Sequence, residues 1–465
     1  MWSNLGGAPF VTVSPRGLKN GSARIPNNGA DFGPDNDTTG TTGIQDALNS
    51  ITMGGFIYLY GEGNAAPYVL SQALHNTGNG QVVWCEPTVY ILNAISQATA
   101  GDGAAIIYPF VSSTYISGVY FQGNGFSYCS WAGNGATIDG ANLGTNYAIY
   151  TNTTGPLNGG VNPSTECEFG GFNLINIAGG ALLCTTYNGH GATPTDLQAN
   201  HNIRYYGITA TFSASTNATN QGVPCGVNSC NRILLEDLFI DCFNLPANDY
   251  SNPFIWSAQG LCHDIVFRRC YFRGNKTTGQ VPELQGSAVS GGQPSSSVTS
   301  KIRFEDCIFD SGATSGSPLA GSGGGFLDDT NGAVETAAVT DVEFLRCGWV
   351  HCGMTFESQI TYFGYIRFRD CLSLPGAISG SLSGRGPTTS MAQGITVTTG
   401  TFKYPATIPG VDLEDVAITV QGGTVSEIDF NGVNTGVTQG IFRLRPTDQL
   451  TVKNTVTPTM NKFGL

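Results

Sequence analysis

Charge is scarce in this chain. Only 11% of its 465 residues are Asp, Glu, Lys or Arg, and 33 acidic against 20 basic side chains leave a formal net charge of −13. No Lys/Arg cluster occurs, which argues against nucleic-acid binding. An acidic surface still accepts neutral or cationic sugars. Histidine is rare too, with 5 residues, and none clusters with the cysteines, so no zinc, other metal or cofactor is expected. Long apolar runs are missing. Nothing approaches the roughly 18 residues of a membrane span, so no membrane insertion is expected. Met1-Trp2-Ser3-Asn4-Leu5 has neither a basic region nor an apolar stretch, so no secretory leader is expected. A product acting outside a cell would then leave by lysis, within a particle, or by an unconventional route. Disorder is excluded as well, because 40% of the residues are hydrophobic.

What is abundant is glycine, at 64 residues, beside many Ser, Thr and Asn. That composition suits short strands joined by tight turns. The length allows a sizeable core and two or three domains.

One short pattern then repeats: apolar, any, apolar, two polar residues, apolar or Cys, any, apolar. It reads Ile233-x-Leu235-Glu236-Asp237-Leu238-x-Ile240, then Ile265-x-Phe267-Arg268-Arg269-Cys270-x-Phe272. Next come Ile302-x-Phe304-Glu305-Asp306-Cys307-x-Phe309 and Val342-x-Phe344-Leu345-Arg346-Cys347-x-Trp349. Ile366-x-Phe368-Arg369-Asp370-Cys371 departs at its end, and Ile203-x-Tyr205-Tyr206-Gly207-Ile208 is a weaker first copy. Apolar residues two apart have strand spacing, and the polar doublet marks a corner between two short strands. The copies start 30, 32, 37, 40 and 24 residues apart. A compact turn needs about two dozen residues, so the surplus must leave the stack as loops of variable length.

The corner residues Asp237, Arg269, Asp306, Arg346 and Asp370 alternate in sign. Parallel neighbours lie about 4.8 Å apart, so alternation pairs opposite charges where repetition would repel. The expected fold is therefore all-β, a single-stranded parallel β-helix. Of the 13 cysteines, Cys270, Cys307, Cys347 and Cys371 share one interior position and read as a column of buried free thiols. Cys225 and Cys230, close together in an expected loop, are the remaining disulfide candidates.

An open stack must cover its end strands. Ile44, Ala47, Leu48 and Ile51 have helical spacing behind Thr41-Thr42-Gly43, which predicts a short amphipathic capping helix. Asp35, Asp37, Thr39, Gly40 and Asp46 mimic a calcium loop, but helix entry explains them equally. Gly29-Ala30-Asp31, Asp37-Thr38, Ile44-Gln45-Asp46-Ala47-Leu48, Gly54-Gly55 and Tyr68-x-Leu70 together resemble the opening of pectate-lyase-like β-helix proteins. That superfamily holds polysaccharide lyases, glycoside hydrolases and many bacteriophage tailspikes. The resemblance implies a right-handed helix and, for the tailspike kind, a homotrimer.

From about Gln393 the spacing changes. Val416-x-Ile418-x-Val420, Ile428-x-Phe430, Phe442-x-Leu444 and Leu450-x-Val452, with turns between, predict a small antiparallel β-sandwich-like module. Gly422-Gly423-Thr424-Val425-Ser426 and Phe442-Arg443-Leu444-x-Pro446-x-Asp448 look similar to C-terminal modules of phage and viral particle proteins. The expected organisation is 1–40 as an extension suited to particle attachment, 41–390 as β-helix, and 391–465 as that module.

Glycoside hydrolysis needs two carboxylates about 5 to 9.5 Å apart. Asp328-Asp329, set among glycines, is the candidate pair, with Asp310, Glu335 and Glu283 as partners; the alternative is a solvated acidic loop tip. Polygalacturonases of this superfamily carry Asp-Asp followed by Gly-His-Gly and Arg-Ile-Lys. Here Gly189-His190-Gly191 precedes Asp328 and no Arg-Ile-Lys follows, so that site is not carried over. His201, His263 and His351 read as loop histidines. Tyr250, Phe254 and Trp256, in a long insertion, are candidates for stacking on sugar rings or on their own turn.

These readings point to a phage or virus particle protein, a tailspike, fibre or capsid-surface spike. It would assemble with other virion proteins and contact host-surface polysaccharide. A polysaccharide-degrading enzyme and a non-catalytic adhesin, both extracellular, are the alternatives.

Overall fold

The computed structural model describes residues 8–16, 30–95, 105–108, 110–112, 123–141, 147–154, 163–177, 180–187, 197–212, 225–244, 255–256, 262–274, 283–285, 298–310, 326–328 and 338–350. Beyond 350 it describes the short strands alone, and for these, as for 255–256, 283–285 and 326–328, only the backbone pairing. The chain divides into two units, Met1–Gly189 with Thr195–Pro224, and His190–Pro194 with Cys225–Leu465.

In the first unit Phe10–Val13 pairs in parallel with Gly55–Leu59, which pairs with Gln81–Cys85. The ladder continues through Ser130–Asp139 and Thr165–Ile175 to His201–Tyr206, parallel throughout. A second parallel run joins Tyr68–Leu70, Tyr90–Asn93, the end of Ser130–Asp139, the end of Thr165–Ile175, and Thr209–Thr211. A separate parallel sheet holds Leu74–His75, Ala105–Tyr108, Tyr147–Thr154 and Gly180–Tyr187. Each strand thus pairs with its equivalent one turn later, which defines a parallel β-helix. Alternation sends every second side chain inward. Ile57, Val83, Trp131, Phe169 and Tyr205 are register partners and fully buried.

The second unit repeats the plan. Asn231–Glu236, His263–Arg268, Val298–Glu305, Ala338–Leu345 and Ile366–Arg369 form one parallel ladder. After each corner Phe239–Asp241, Tyr271–Arg273, Ile308–Asp310, Gly348–Val350 and Leu372–Leu374 form another. Inside, Phe267 stacks on Phe304 with ring centroids 4.9 Å apart, and Phe304 on Phe344 at 4.8 Å. One rung spacing separates the rings, so the backbone ladder sets the aromatic column.

The corners have a common cause. Asp237, Arg269, Asp306 and Arg346 take φ of 55°, 53°, 56° and 52°, the left-handed conformation that turns one strand into the next. In the first unit Gly171 and Gly207 do the same at φ of 73° and 57°. A side chain there is strained by roughly 1–2 kcal/mol. Ion pairing offsets this in the second unit. Arg269 donates to Asp237 at 2.6 and 2.8 Å and to Glu236 at 3.2 Å. Arg346 donates to Asp306 at 2.6 and 2.8 Å and to Glu305 at 3.1 Å. Each arginine reaches back one turn, so the alternating signs do pair, with Asp306 bonded to Arg346.

Cys270, Cys307 and Cys347 are free and buried in one column, while Cys371 lies outside the described side chains. Cys225 and Cys230 correct the disulfide expectation. Both are free and buried, because Cys225 opens a strand and Cys230 leads into the next rung. Nearness in sequence did not place them in an exposed loop.

The helix Ile44–Ser50 lies where expected, burying Ile44, Ala47 and Leu48. Asp37 accepts the N–H groups of Thr39, Thr41 and Thr42, and Asp46 accepts from the Thr38 N–H and the Thr39 hydroxyl. These carboxylates organise the helix entry. Two boundaries differ from expectation. The ladder begins at Phe10–Val13, inside the segment read as an extension; its outer edge is occupied by Asp31, whose carboxylate accepts the Thr12 N–H at 2.8 Å. Toward the C-terminus Ile395–Thr398, Asp412–Glu414 and Thr451–Lys453 pair in parallel, as do Ile428–Asp429 and Phe442–Arg443. Only Ser390–Met391 with Gly380–Ser381 is antiparallel among the described strands there. Alternation specifies a strand without fixing the direction of its partner.

Candidate functional site

The outward positions of the short strands in the second unit form two adjacent columns. Phe239, Tyr271 and Ile308 are register partners, as are Asp241, Arg273 and Asp310. The residues between them, Ile240, Phe272 and Phe309, are buried, so both columns share the outer face.

The first column is an apolar ridge. Phe239 is 38% and Ile308 37% exposed, and Tyr271 stacks on Phe239 with centroids 5.0 Å apart. Because the two rings cover one another's faces, they present their rims outward. The second column is polar. The Tyr271 hydroxyl donates to Asp310 at 2.6 Å. Burial, then the hydrogen bond to Asp310 and its negative charge, push the Tyr271 phenol above its ordinary range. Arg273 lies between two carboxylates, 3.7 Å from Asp241 and 3.8 Å from Asp310. Its guanidinium rests on the Phe243 ring at 3.9 Å, a cation–π contact. Asp241 also accepts the Phe243 N–H at 2.9 Å, fixing the bend after the strand.

The first unit has a related pair. Tyr90 donates to Asp139 across one rung, and burial together with Asp139 raises its phenol to about 12. There the carboxylate is filled by the Ala141 N–H and the Asn176 amide, both at 2.8–2.9 Å, and among the described residues no arginine joins it.

Of the residues singled out from sequence, Asp310 belongs to this face. Asp328 ends the strand Phe326–Asp328, in register with Glu283–Gln285, in a different sheet from Asp310. Asp329, Glu335, Tyr250 and Phe254 lie outside the described residues, and Trp256 is described only as a strand paired with Gly226. His263 contacts Asp264 at 2.7 Å and His201 the Ala199 carbonyl at 2.8 Å, so both are held locally. Asp241, Tyr271 and Arg273 were missed. The outward positions of the repeated pattern, taken as columns in the same way as its corners, mark them.

The strand register defines an all-β parallel β-helix protein whose outer face carries an apolar ridge beside a charged row. No family model matches the chain, and no curated protein matches it. Among solved structures, ORF18 of Geobacillus virus E2 aligns at 11% identity and TM-score 0.38, over 84% of this chain. The chain spans 63% of that neighbour's length. Polygalacturonase from Erwinia carotovora ssp. carotovora aligns at 12% identity and TM-score 0.37, over 75% of this chain and 93% of its own. A mutant tailspike protein of E. coli bacteriophage HK620, in complex with a pentasaccharide, aligns at 10% identity and TM-score 0.45, over 94% and 74%.

Proposed function

We propose that this chain is a structural protein of a bacteriophage or virus particle, a tailspike, fibre or capsid-surface spike, that contacts host-surface carbohydrate. The observation that carries the reading is the outer face over Phe239, Tyr271 and Ile308. It combines exposed apolar surface with Asp241 and Arg273 on a rigid ladder, the pairing of C–H and hydroxyl partners that a sugar offers. The thiols support particle assembly inside a host cell. Eleven described cysteines are free and buried, as in a protein that folds in a reducing compartment. Segment 1–40 beyond its paired strand would attach to other virion proteins, 391–465 would close the opposite end, and the assembly would be a homotrimer. Tyr250, Phe254 and Trp256 would add stacking contacts.

Peptide mapping of purified particles tests the location, and glycan binding tests the contact. Particles lacking the polypeptide, or a chain that binds no glycan, would each remove one half of the proposal. An enzymatic reading, as a glycoside hydrolase or polysaccharide lyase, draws on Asp310 standing on this face, with Asp328, Asp329 and Glu335 as further carboxylates. New reducing ends or unsaturated products from host capsule would establish it. Sedimentation of the full chain at the mass of one protomer would exclude the trimer.

A further inference from the structure

We infer that Asp241 and Arg273 read a pair of adjacent hydroxyls on an uncharged pyranose whose C–H surface lies on the ridge of Phe239, Tyr271 and Ile308. This deepens the carbohydrate contact proposed above and rests on it.

The arginines of the second unit supply the argument. Arg269 and Arg346 at the corners each make two short bonds to one aspartate and a third to a glutamate, so most of their five donors are engaged. Arg273 is placed differently. Its approaches to Asp241 and Asp310, at 3.7 and 3.8 Å, are longer than a hydrogen bond. Its Nε is covered and faces Asp310 at 3.8 Å, so the donors within reach of a ligand are those on the terminal nitrogens of a side chain that is 32% exposed. The guanidinium is held by the Phe243 ring, which positions it without using any N–H. Terminal donors held in place without a short hydrogen bond can take a ligand oxygen.

The row Asp241, Arg273, Asp310 alternates acceptor, donor, acceptor across one rung spacing per step. Adjacent hydroxyls carry the same alternation, because each both donates and accepts. One hydroxyl donates to Asp241 while its neighbour accepts from Arg273. Asp310, mostly covered and bonded to Tyr271, acts as a positioning residue for Arg273 and the ridge. Two carboxylates against one guanidinium leave the row net negative. A uronate or phosphate would set its own charge beside Asp241, which disfavours acidic sugars. The ridge continues through three rungs on the outer face, so successive sugars would run along the stacking direction.

The test uses the full chain against immobilised dextran, mannan, alginate and polygalacturonate, each before and after periodate, which cleaves the bond between carbons bearing adjacent hydroxyls. Binding is expected to the neutral polymers and to fall by about tenfold to a hundredfold after periodate, the equivalent of losing charge-assisted hydrogen bonds. Asp241→Asn, at a largely covered side chain that keeps an oxygen for the Phe243 N–H, and Phe239→Ala, at an exposed one, are expected to weaken binding by about tenfold while shifting the melting temperature by no more than a few degrees. Arg273→Lys, which keeps the charge and loses the planar fork, is expected to weaken binding as well. Binding that survives periodate and Asp241→Asn overturns this inference alone, as does preference for the uronate polymers. A chain that binds no polymer overturns the carbohydrate contact itself, and this inference with it.

Discussion

Replacing Phe304 by alanine removes the middle ring of the inner aromatic column. Phe304 is 1% exposed, stacked on Phe267 at 4.9 Å and Phe344 at 4.8 Å, with Phe309 edge-on at 5.6 Å. Truncating a buried phenylalanine to alanine costs about 3–5 kcal/mol including the cavity left behind, and favourable ring pairs, worth about 0.5–1.5 kcal/mol each, place a stacked site high in that range. Collapse cannot relieve this cavity. The strands above and below are held about 4.8 Å away by parallel hydrogen bonds, so neighbouring rings cannot move in without breaking the ladder. The expected loss is therefore in the upper part of the range, about 4–5 kcal/mol, or about 8–20 °C in melting temperature for a unit of this size. Urea unfolding followed by circular dichroism reads it, with an unchanged slope. Hydrogen exchange should quicken most in His263–Arg268, Val298–Glu305 and Ala338–Leu345, the strands carrying the lost contacts. Phe239→Ala, on the outer face, is the control and should lose less than about 1 kcal/mol. A loss below about 1 kcal/mol for Phe304→Ala as well would refute the stacked column.

Other outcomes follow from the same geometry. Cys307→Arg should abolish soluble expression, because an unpaired charge would enter a fully buried column, whereas Cys307→Ala should remain soluble; near-normal melting of the arginine variant would place the thiol outside. Glu305 and Asp306 sit below their ordinary values of 4.5 and 3.8. Burial opposes this for Glu305 and is outweighed by Arg268 and Arg346, whereas Asp306 is lowered chiefly by Arg346. Because the folded values are depressed, their contribution is present above about pH 4.5 and is lost as pH falls through the folded values; Glu305→Gln with Asp306→Asn should flatten the acid limb of urea midpoint against pH. Asp37→Ala leaves three N–H groups without their acceptor and should cost about 0.5–2 kcal/mol, with thermal melting as the readout.

The inner half of this fold was legible because burial imposes a strict code. Phe267, Phe304 and Phe344 recur at one place in each copy because only an apolar side chain fits there, and the corner charges recur because direct neighbours feel one another's sign. The rest follows weaker rules. Phe10–Val13 is too short and isolated to announce itself, and its membership of the ladder rests on partners far along the chain. After Gln393 the strands at Ile428–Asp429, Phe442–Arg443 and Thr451–Lys453 fall where alternation places them, whereas Ile395–Thr398 and Asp412–Glu414 were not anticipated and 416–420 lies outside the described residues. Pairing direction depends on connections that alternation does not encode. At the candidate site only Asp310 was found. Asp241 and Arg273 lie on the outer face, where the repeat sets no apolar requirement, so each carries little signal until the register lines them up.

The matched strands of the second unit are separated by 32, 37, 40 and 24 residues, yet their partners stay aligned to the residue. Rigidity and variability are thus assigned to different stretches of one polypeptide. Doubling an excursion adds only about 0.6 kcal/mol of closure entropy, so peptides grafted between turns should be carried without disturbing the framework. A lineage can lengthen or trim these segments without changing the register of the strands between them, and an engineer can do the same.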